Sequence, residues 1–517
     1  MRSSAALLLL ALAGCAPRLA PVARGSAPAV PPVRVAVFRP VDARNAPPDR
    51  ELSDDAPVVV REAILRELSH AGCPWVDVDT LDDLVGRNVA SGDLTWEEAA
   101  RLSQRAGADL AVVGRITDYR RGSLLGRSTV VGIRLDVVAP DARTAWTLQH
   151  RETAAQEDPA ILARDVGTKV ARALLKAWGT RLVDPSDPSI RPLGRVVRET
   201  GSARWAWSGS GIQFAFRGTG CRARIRGSGA VLRVRLDGRE AGTLSTRPGT
   251  DSVYTLAADV ADAPHVVELR QRTEAATGGT ELLGLSVDGV PSILPPPPAR
   301  RIAFYGNSIT CGYGILDSSR DHHFSPATED EGSAFGALAA DSLGADRRTV
   351  CWSGRGVVRN FGGDTATATL PEVADRALAS ESPVWTDDGW TPDAIVVELG
   401  HNDFTSLPAP DSAAFESTLT EFVQTRLRED PRARVVLVDG PMTSDAWPQG
   451  LLALTRLRAH LDRVAAGLRA RGVRASHLSL TPNDASRGWG ADWHPNQAQA
   501  RLNASELVAH LRREMGW

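Results

Sequence analysis

The chain has 517 residues, 43% hydrophobic and 24% charged, with a formal net charge of −2. It is too long for one ordinary domain, its balance is that of a globular protein with ample core material, and no overall charge points to nucleic acid. Lysine occurs only at Lys169 and Lys176, so nearly all positive charge is arginine, a composition bias rather than chemistry.

Arg2 precedes an apolar run over residues 5–13, too short to span a bilayer. The run ends in Leu12-Ala13-Gly14-Cys15, which resembles a bacterial lipoprotein signal. The resemblance implies residues 1–15 as signal and lipobox, Cys15 as the lipidated residue, and a lipid-anchored place in the cell envelope. Ala16 favours the outer membrane, facing the periplasm or the surface. Residues 16–32, rich in Pro, Ala and Gly, read as a tether.

Residues 33–184 read as an α/β module. Strands are expected at 33–38, 75–78, 109–116 and 129–138. A helix over 57–70 carries Val60, Ile64 and Leu68 on one face. Thr95 and Glu98 form a capping-box pattern opening a helix to Ala106. A helix over 159–178 aligns Leu162, Val166, Val170 and Leu174. The element order resembles the small α/β domain of envelope lipoproteins that assist assembly or secretion, which implies docking to an envelope protein partner.

From 190 to 294 the period changes to two. Ile212, Phe214 and Phe216 alternate with polar or small residues, as do Leu232, Val234 and Leu236. Asp237-Gly238 is a hairpin signal. An antiparallel β-sandwich follows, jelly-roll-like, whose arginines read as a solvated outer face in preference to a saccharide-binding one. Pro295 to Pro298 form a stiff spacer.

Residues 299–517 alternate strands with helices. Continuous apolar runs at 302–305, 394–399 and 435–438 suit buried parallel strands, with helices at 415–427 and 452–471 between, so a doubly wound α/β/α fold is expected. Ser308 follows the first run through Gly306-Asn307, where Gly306 permits a sharp turn at the sheet edge. A serine hydroxyl needs a base to act as a nucleophile, and His494 in "GADWHPNQ" is the candidate. Acyl transfer also needs donors for the developing oxyanion. "CWSGRG" can present a backbone N–H at Gly354, and "GHND" can aim the Asn402 amide.

These stretches resemble the SGNH (GDSL-like) hydrolases. Ser308, Gly354, Asn402 and His494 match the four named positions in order. More narrowly, "GNSITCGYG", "WSGRGVVRNFGG", "ELGHNDF" and "DWHPN", behind a β domain with "WSGSGIQFAFRGT", resemble carbohydrate esterase family 2. The resemblance implies a two-domain esterase that removes acetyl groups from polysaccharides such as xylan or glucomannan, with no metal or other cofactor. It assigns Ser308 and His494 to catalysis and the oxyanion to Ser308, Gly354 and Asn402. Two departures stand out. Asn307 replaces the usual aspartate. Ala491 occupies the usual block V aspartate position, and Asp492 lies two residues before the histidine. Asp492 completes a triad, or a backbone carbonyl orients the ring and leaves a Ser–His dyad. Without a carboxylate, a slower or more alkaline enzyme is expected.

Trp489 and Trp493 are candidate sugar contacts, whereas Trp352 reads as packing. Asp321, His322 and His323 read as loop residues, Arg355 and Arg359 as surface-paired. Cys311 and Cys351 can pair in an exported protein, but lone buried thiols are preferred for Cys73, Cys221, Cys311 and Cys351. Two other functions remain open: deacetylation of peptidoglycan or an exported glycan, and a non-catalytic carbohydrate-binding scaffold.

Overall fold

The computed structural model describes residues 22–24, 34–44, 55–89, 94–122, 128–142, 145–155, 157–381, 383–386, 388–428 and 431–517. The signal and Cys15 lie outside them, as does all of the tether except Val22–Arg24. The chain divides into two compact units, 1–182 and 183–517. Among the described residues no helix is long and apolar enough to cross a membrane.

The first unit is built on β1 (Val35–Val37), β2 (Leu110–Gly122), β3 (Ser128–Val138) and β4 (Ala145–Ala155). β1 runs parallel to β2, and β2, β3 and β4 pair antiparallel. Val22–Arg24 pairs with β4, so those three residues are a strand rather than tether. Helices α1 (Ala56–His70), α2 (Val78–Asn88), α3 (Trp96–Arg105) and α4 (Pro159–Ala177) cover both faces. Val35 and Val37 join the core of α1 and α4, while Ala36 and Phe38 join that of α2 and α3. The Thr95–Glu98 capping box forms in both directions. The strand expected at 75–78 is absent. Trp75 makes one bridge to Val35, and Asp77 caps α2 by accepting the Thr80 N–H at 3.0 Å. A local cap overrides the β preference of a short run.

The second unit begins with a large antiparallel sheet region. Its strands include β5 (Gly211–Gly227), β6 (Val231–Leu236), β7 (Arg239–Ser245), β8 (Asp251–Ala257), β9 (Ala263–Gln271) and β10 (Thr280–Pro291). The long β5 pairs with β9 along its first half and with β8 along its second. Asp237 and Gly238, with φ of 52° and 77°, make the two-residue turn joining β6 to β7.

A parallel sheet follows: β11 (Arg300–Gly306), β12 (Ala345–Cys351), β13 (Ala394–Glu398), β14 (Arg434–Val438) and β15 (Ala475–Leu478), in the order β12-β11-β13-β14-β15. Alternation along each strand feeds two cores. Ala303, Tyr305, Ile395 and Val397 face α7 (Ser412–Arg426) and α8 (Ala453–Ala470). Ile302, Phe304, Ala394 and Val396 face α6 (Phe335–Leu343) and α9 (Gln497–Met515). A helix of one turn, α5 (Ser308–Cys311), follows β11.

The antiparallel region is bolted to this sheet through buried polar contacts. Arg195 donates to the carbonyls of Ala374 and Arg376 at 2.5 and 2.7 Å, and the Trp207 indole donates to the Arg376 carbonyl at 3.1 Å. Trp207 is fully buried and belongs to the core beneath α7 and α8.

Cys311 and Cys351 form a disulfide, against the preference for lone thiols. Parallel pairing of β11 with β12 sets Gly306 beside Cys351, and α5 returns Cys311 to it. The bond closes a separation of 40 residues. Removing such a link is expected to cost about 3–4 kcal/mol by loop-closure entropy. Calorimetry with and without reductant should therefore show a lowered unfolding temperature for the second unit, and Cys311→Ala/Cys351→Ala should reproduce it without reductant.

Candidate active site

The site lies at the carboxyl ends of β11, β12 and β13. Their registers set Gly306 beside both Cys351 and Glu398. The chain winds from β11 outward to β12 and then back across to β13, so the strand order reverses at β11. A crevice opens at such a switch point, outside the strand ends. The Ser308, Gly354 and Asn402 loops leave these three neighbouring ends.

The turn carrying Ser308 is set by packing. A Cβ on Gly306 would stand 2.0 Å from Thr310 Oγ1, so this position needs bare backbone because α5 folds back closely over it. Asn307 caps α5, its Oδ1 accepting the Ile309 N–H at 3.0 Å. Its Nδ2 donates to Glu398 Oε1 at 3.1 Å, and Thr310 Oγ1 donates to Glu398 Oε2 at 3.0 Å. Burial raises the Glu398 carboxyl to about 8, against the hydrogen bonds from Thr310 and Asn307. Asparagine in place of aspartate therefore supplies an N–H donor to the buried Glu398 carboxyl, a bond an ionised aspartate could not make.

Ser308 Oγ lies 2.8 Å from His494 Nε2, with both residues buried. The turn Ala491–Trp493 presents the imidazole. Its Asp492 and Trp493 adopt φ of 48° and 66°, strained values for residues with side chains. In exchange, the Ala491 and Asp492 carbonyls both lie 3.1 Å from His494 Nδ1. Nδ1 faces only acceptors and so carries the proton, which leaves the Nε2 lone pair for the serine O–H. Tyr313 stacks on the ring at a centroid separation of 4.2 Å. Burial lowers the His494 pKa to about 4, although both carbonyl contacts favour the charged form. The base is thus neutral over a wide pH range.

The Asp492 carboxylate does not touch the imidazole. It accepts from the Tyr313 hydroxyl, the Phe324 N–H and His323 Nδ1, each at 2.9 Å. Burial alone would raise this carboxyl, but those three hydrogen bonds hold it below its ordinary value. Of the two expectations, the Ser308–His494–Asp492 triad is corrected and the dyad matches the geometry: the Asp492 carbonyl orients the ring, and its side chain ties Tyr313 and the 323–324 segment to the turn. The positive φ at Asp492 turns the side chain away from the histidine. The expectation of a more alkaline enzyme also has the wrong sign. An imidazolium without a carboxylate is less stable, which keeps the base form available at lower pH.

The Gly354 loop is held by Asp403. Its carboxylate accepts the N–H groups of Val357, Val358 and Arg359 at 2.8, 2.8 and 3.1 Å. Burial raises the Asp403 carboxyl to about 6 against those bonds. Gly354 has φ of 78°, where a side chain would be strained. The Asn402 amide donates one N–H to the Arg355 carbonyl at 2.8 Å, which aims the group and leaves its second N–H for a ligand.

Trp489 and Trp493 meet edge to face at 5.7 Å. The Arg320 guanidinium lies 4.6 and 4.1 Å from their centroids, covering one face of each, and Trp493 remains 53% exposed. Trp352 packs edge-on against Trp207 at 6.3 Å. Arg355 and Arg359 pair with carbonyl oxygens rather than carboxylates: Arg355 donates to Ala368, and Arg359 to Asp403 and Ser406. His323, read as a loop residue, reaches Asp492, while His322 bonds Asp317 at 2.7 Å. Sequence reasoning missed Tyr313, Arg320, Glu398 and Asp403, although Tyr313, Glu398 and Asp403 stand inside the quoted motifs.

Among the described residues, Glu274, Cys311 and Glu329 form one group with ligand-type atoms within 4.8 Å of one another. Cys311 is tied into the disulfide, leaving two carboxyl groups, fewer donors than zinc or calcium sites use.

Residues 193–297 match the family model described as Carbohydrate esterase 2 N-terminal, and residues 304–502 match the GDSL-like Lipase/Acylhydrolase family. The chain is 33% identical over 263 residues to an acetylxylan esterase / glucomannan deacetylase of Cellvibrio japonicus, covering 49% of this chain and 68% of the relative. It is 30% identical over 341 residues to the cellulase/esterase CelE of Acetivibrio thermocellus, covering 65% of this chain and spanning 40% of that longer relative. The solved family two carbohydrate esterase from Clostridium thermocellum in complex with cellohexaose aligns with a TM-score of 0.59 and 29% identity, over 63% of this chain and 99% of that one.

Because His494 must be neutral to accept a proton, activity on the acid side should hold until pH drops toward its lowered value of about 4. A kcat/KM profile should place the acid limb well below the ordinary histidine range. Asp492→Ala should lower thermal stability and move that limb, if at all, to lower pH, because the carboxylate's only effect on the imidazole is a through-space one that favours its charged form.

Proposed function

The chain belongs to carbohydrate esterase family 2, and on that premise we propose that it is a serine esterase that removes O-acetyl groups from polysaccharides. The observation that carries this reading is the buried 2.8 Å contact between Ser308 Oγ and His494 Nε2. Ser308 Oγ attacks the acetyl carbonyl while Nε2 takes its proton. The imidazolium keeps Nδ1–H on the carbonyls of Ala491 and Asp492. The oxyanion is held by the N–H groups of Ser308 and Gly354 and by the free N–H of Asn402. The tetrahedral intermediate collapses, and His494 protonates the departing sugar oxygen. Water, deprotonated by the same imidazole, attacks the acyl-serine; the Ser308 Oγ–C bond breaks, His494 returns the proton to Oγ, and acetate leaves.

Xylan- or glucomannan-type chains are the proposed substrates, supported by the name of the Cellvibrio japonicus relative and by the exposed Trp493 beside the histidine. The antiparallel region is read as a β-sandwich, supported by the division of β5 between two sets of partners. Cys15 is the proposed lipid anchor at the envelope, with 33–184 as a module docking an envelope partner. That anchor favours a second reading, in which the acetylated polymer is peptidoglycan or an exported glycan of the same cell.

Acetate release from acetylated xylan, glucomannan and muramyl polymer separates these substrates. Ser308→Ala should lower release by about 10⁴-fold or more wherever the wild type is active, since loss of a nucleophile leaves only binding and oxyanion stabilisation. Saccharide binding without acetate release on any polymer would instead identify a non-catalytic scaffold. Cys15→Ser should move the protein from the membrane fraction to the soluble one.

A further inference from the structure

Where the antiparallel region meets the catalytic sheet, two carboxyl groups approach each other out of reach of solvent. Glu274 lies just after β9 and is 3% exposed; Glu329 belongs to the segment leading into α6 and is 0% exposed. Their oxygens lie within 4.8 Å of each other and of the Cys311 sulfur. The Glu329 carboxyl lies against the side chain and backbone N–H of Glu274, and no other group satisfies its oxygens. Glu274 Oε2 accepts the Ser353 N–H at 2.9 Å. Ser353 immediately precedes Gly354, and the disulfide fixes the start of the same loop at Cys351. The backbone beside the oxyanion donor is therefore held by a side chain from the other domain.

We propose that Glu274 is a positioning residue for the Gly354 loop, delivered by the antiparallel domain, with Glu329 as the partner that locks it in place. The inference rests on the reading of Gly354 as an oxyanion donor. Two buried carboxyls this close hold one proton between them. Burial raises both, and the charge of Glu274 raises Glu329 further, to about 9. With the proton on Glu329, the Glu274 carboxylate stays beside the Ser353 N–H. Loss of that proton sets two negative charges against each other and releases the loop. The neighbouring cations, Arg272 toward Glu329 and Arg355 toward Glu274, favour the charged forms but give way to burial, which leaves both carboxyls raised. Arg272 donates Nε to the Glu329 carbonyl at 2.6 Å, Arg355 lies over the Trp352 ring, and Asp330 is engaged by Arg233 at 2.6 Å. Tyr313, which feels both carboxyls, has its hydroxyl on Asp492.

The test compares the full-length wild type with Glu274→Ala, Glu274→Gln and Glu329→Gln, after melting curves establish folding. The readouts are kcat and KM for 4-nitrophenyl acetate across pH, and the rate at which diethyl 4-nitrophenyl phosphate labels Ser308. In the labelling step the Ser308 Oγ–P bond forms, the bond to 4-nitrophenolate breaks, and the serine proton passes to His494. The phosphoryl oxygen uses the oxyanion donors without any acetyl substrate. Glu274→Ala should lower kcat and labelling by about 10–100-fold with KM nearly constant, because loop misplacement weakens transition-state contacts. Glu274→Gln should recover most of the loss, since its amide oxygen still accepts from Ser353. The wild type should lose activity on an alkaline limb near about 9, and Glu329→Gln should abolish that limb. Wild-type kcat and labelling in Glu274→Ala, or an alkaline limb unchanged in Glu329→Gln, would overturn the proposal. A wild type that labels at Ser308 but releases no acetate would refute the esterase reading alone, while a labelling defect in Glu274→Ala would still support the positioning role.

Discussion

Ser308 and His494 must stay within hydrogen-bonding distance inside a water-poor site, and most of the second unit's special geometry serves that contact. A buried imidazole is a poor place for a charge. Here it stays neutral and is oriented by two carbonyl groups rather than a carboxylate. Carbonyl dipoles fix the tautomer as well as a carboxylate does, but they stabilise the imidazolium less. The structural cost appears as positive φ at Asp492 and Trp493. That strain persists because the Asp492 side chain is bonded on three sides and over-determines the turn.

The antiparallel region belongs to the working architecture of the site and is more than a neighbour on the chain. It supplies Trp207 to a core of the parallel sheet and Arg195 to two carbonyls of the catalytic domain. Arg233 in β6 reaches the buried Asp330 of the catalytic domain at 2.6 Å, beside Glu331, which takes a forked pair from Arg347 in β12 at 3.0 Å for both bonds. Truncating one member of such a buried pair leaves the other charge without compensation. The two domains of the second unit are therefore coupled energetically. Glu274 extends this coupling to the Gly354 loop.

The elements legible in the sequence were those whose signal is local. Period-two alternation marked β6, the continuous runs marked β11, β13 and β14, and Thr95 with Glu98 marked the start of α3. The strand assigned to 75–78 failed because Asp77 captures the Thr80 N–H and starts a helix within the same residues. At the site, Ser308, Gly354, Asn402 and His494 stand at strand ends or tight turns, positions that short motifs announce. The partners of Asp492 were illegible because Tyr313 and His323 lie far away in the chain and a positive φ reverses the side chain's direction.

The amino-acid order alone determined the layers, the parallel character of the last sheet and the residue types offered at each strand end, because periodicity and turn chemistry act over a few residues. Tertiary structure decided which groups meet. Parallel pairing of β11 and β12 united Cys311 with Cys351, and the seam between the two domains set Glu274 against Glu329. The fold of the 491–494 turn gave the imidazole two carbonyls in place of a carboxylate. Such contacts depend on register, backbone direction and exclusion of water across long separations, and none of these is encoded in any short stretch of chain.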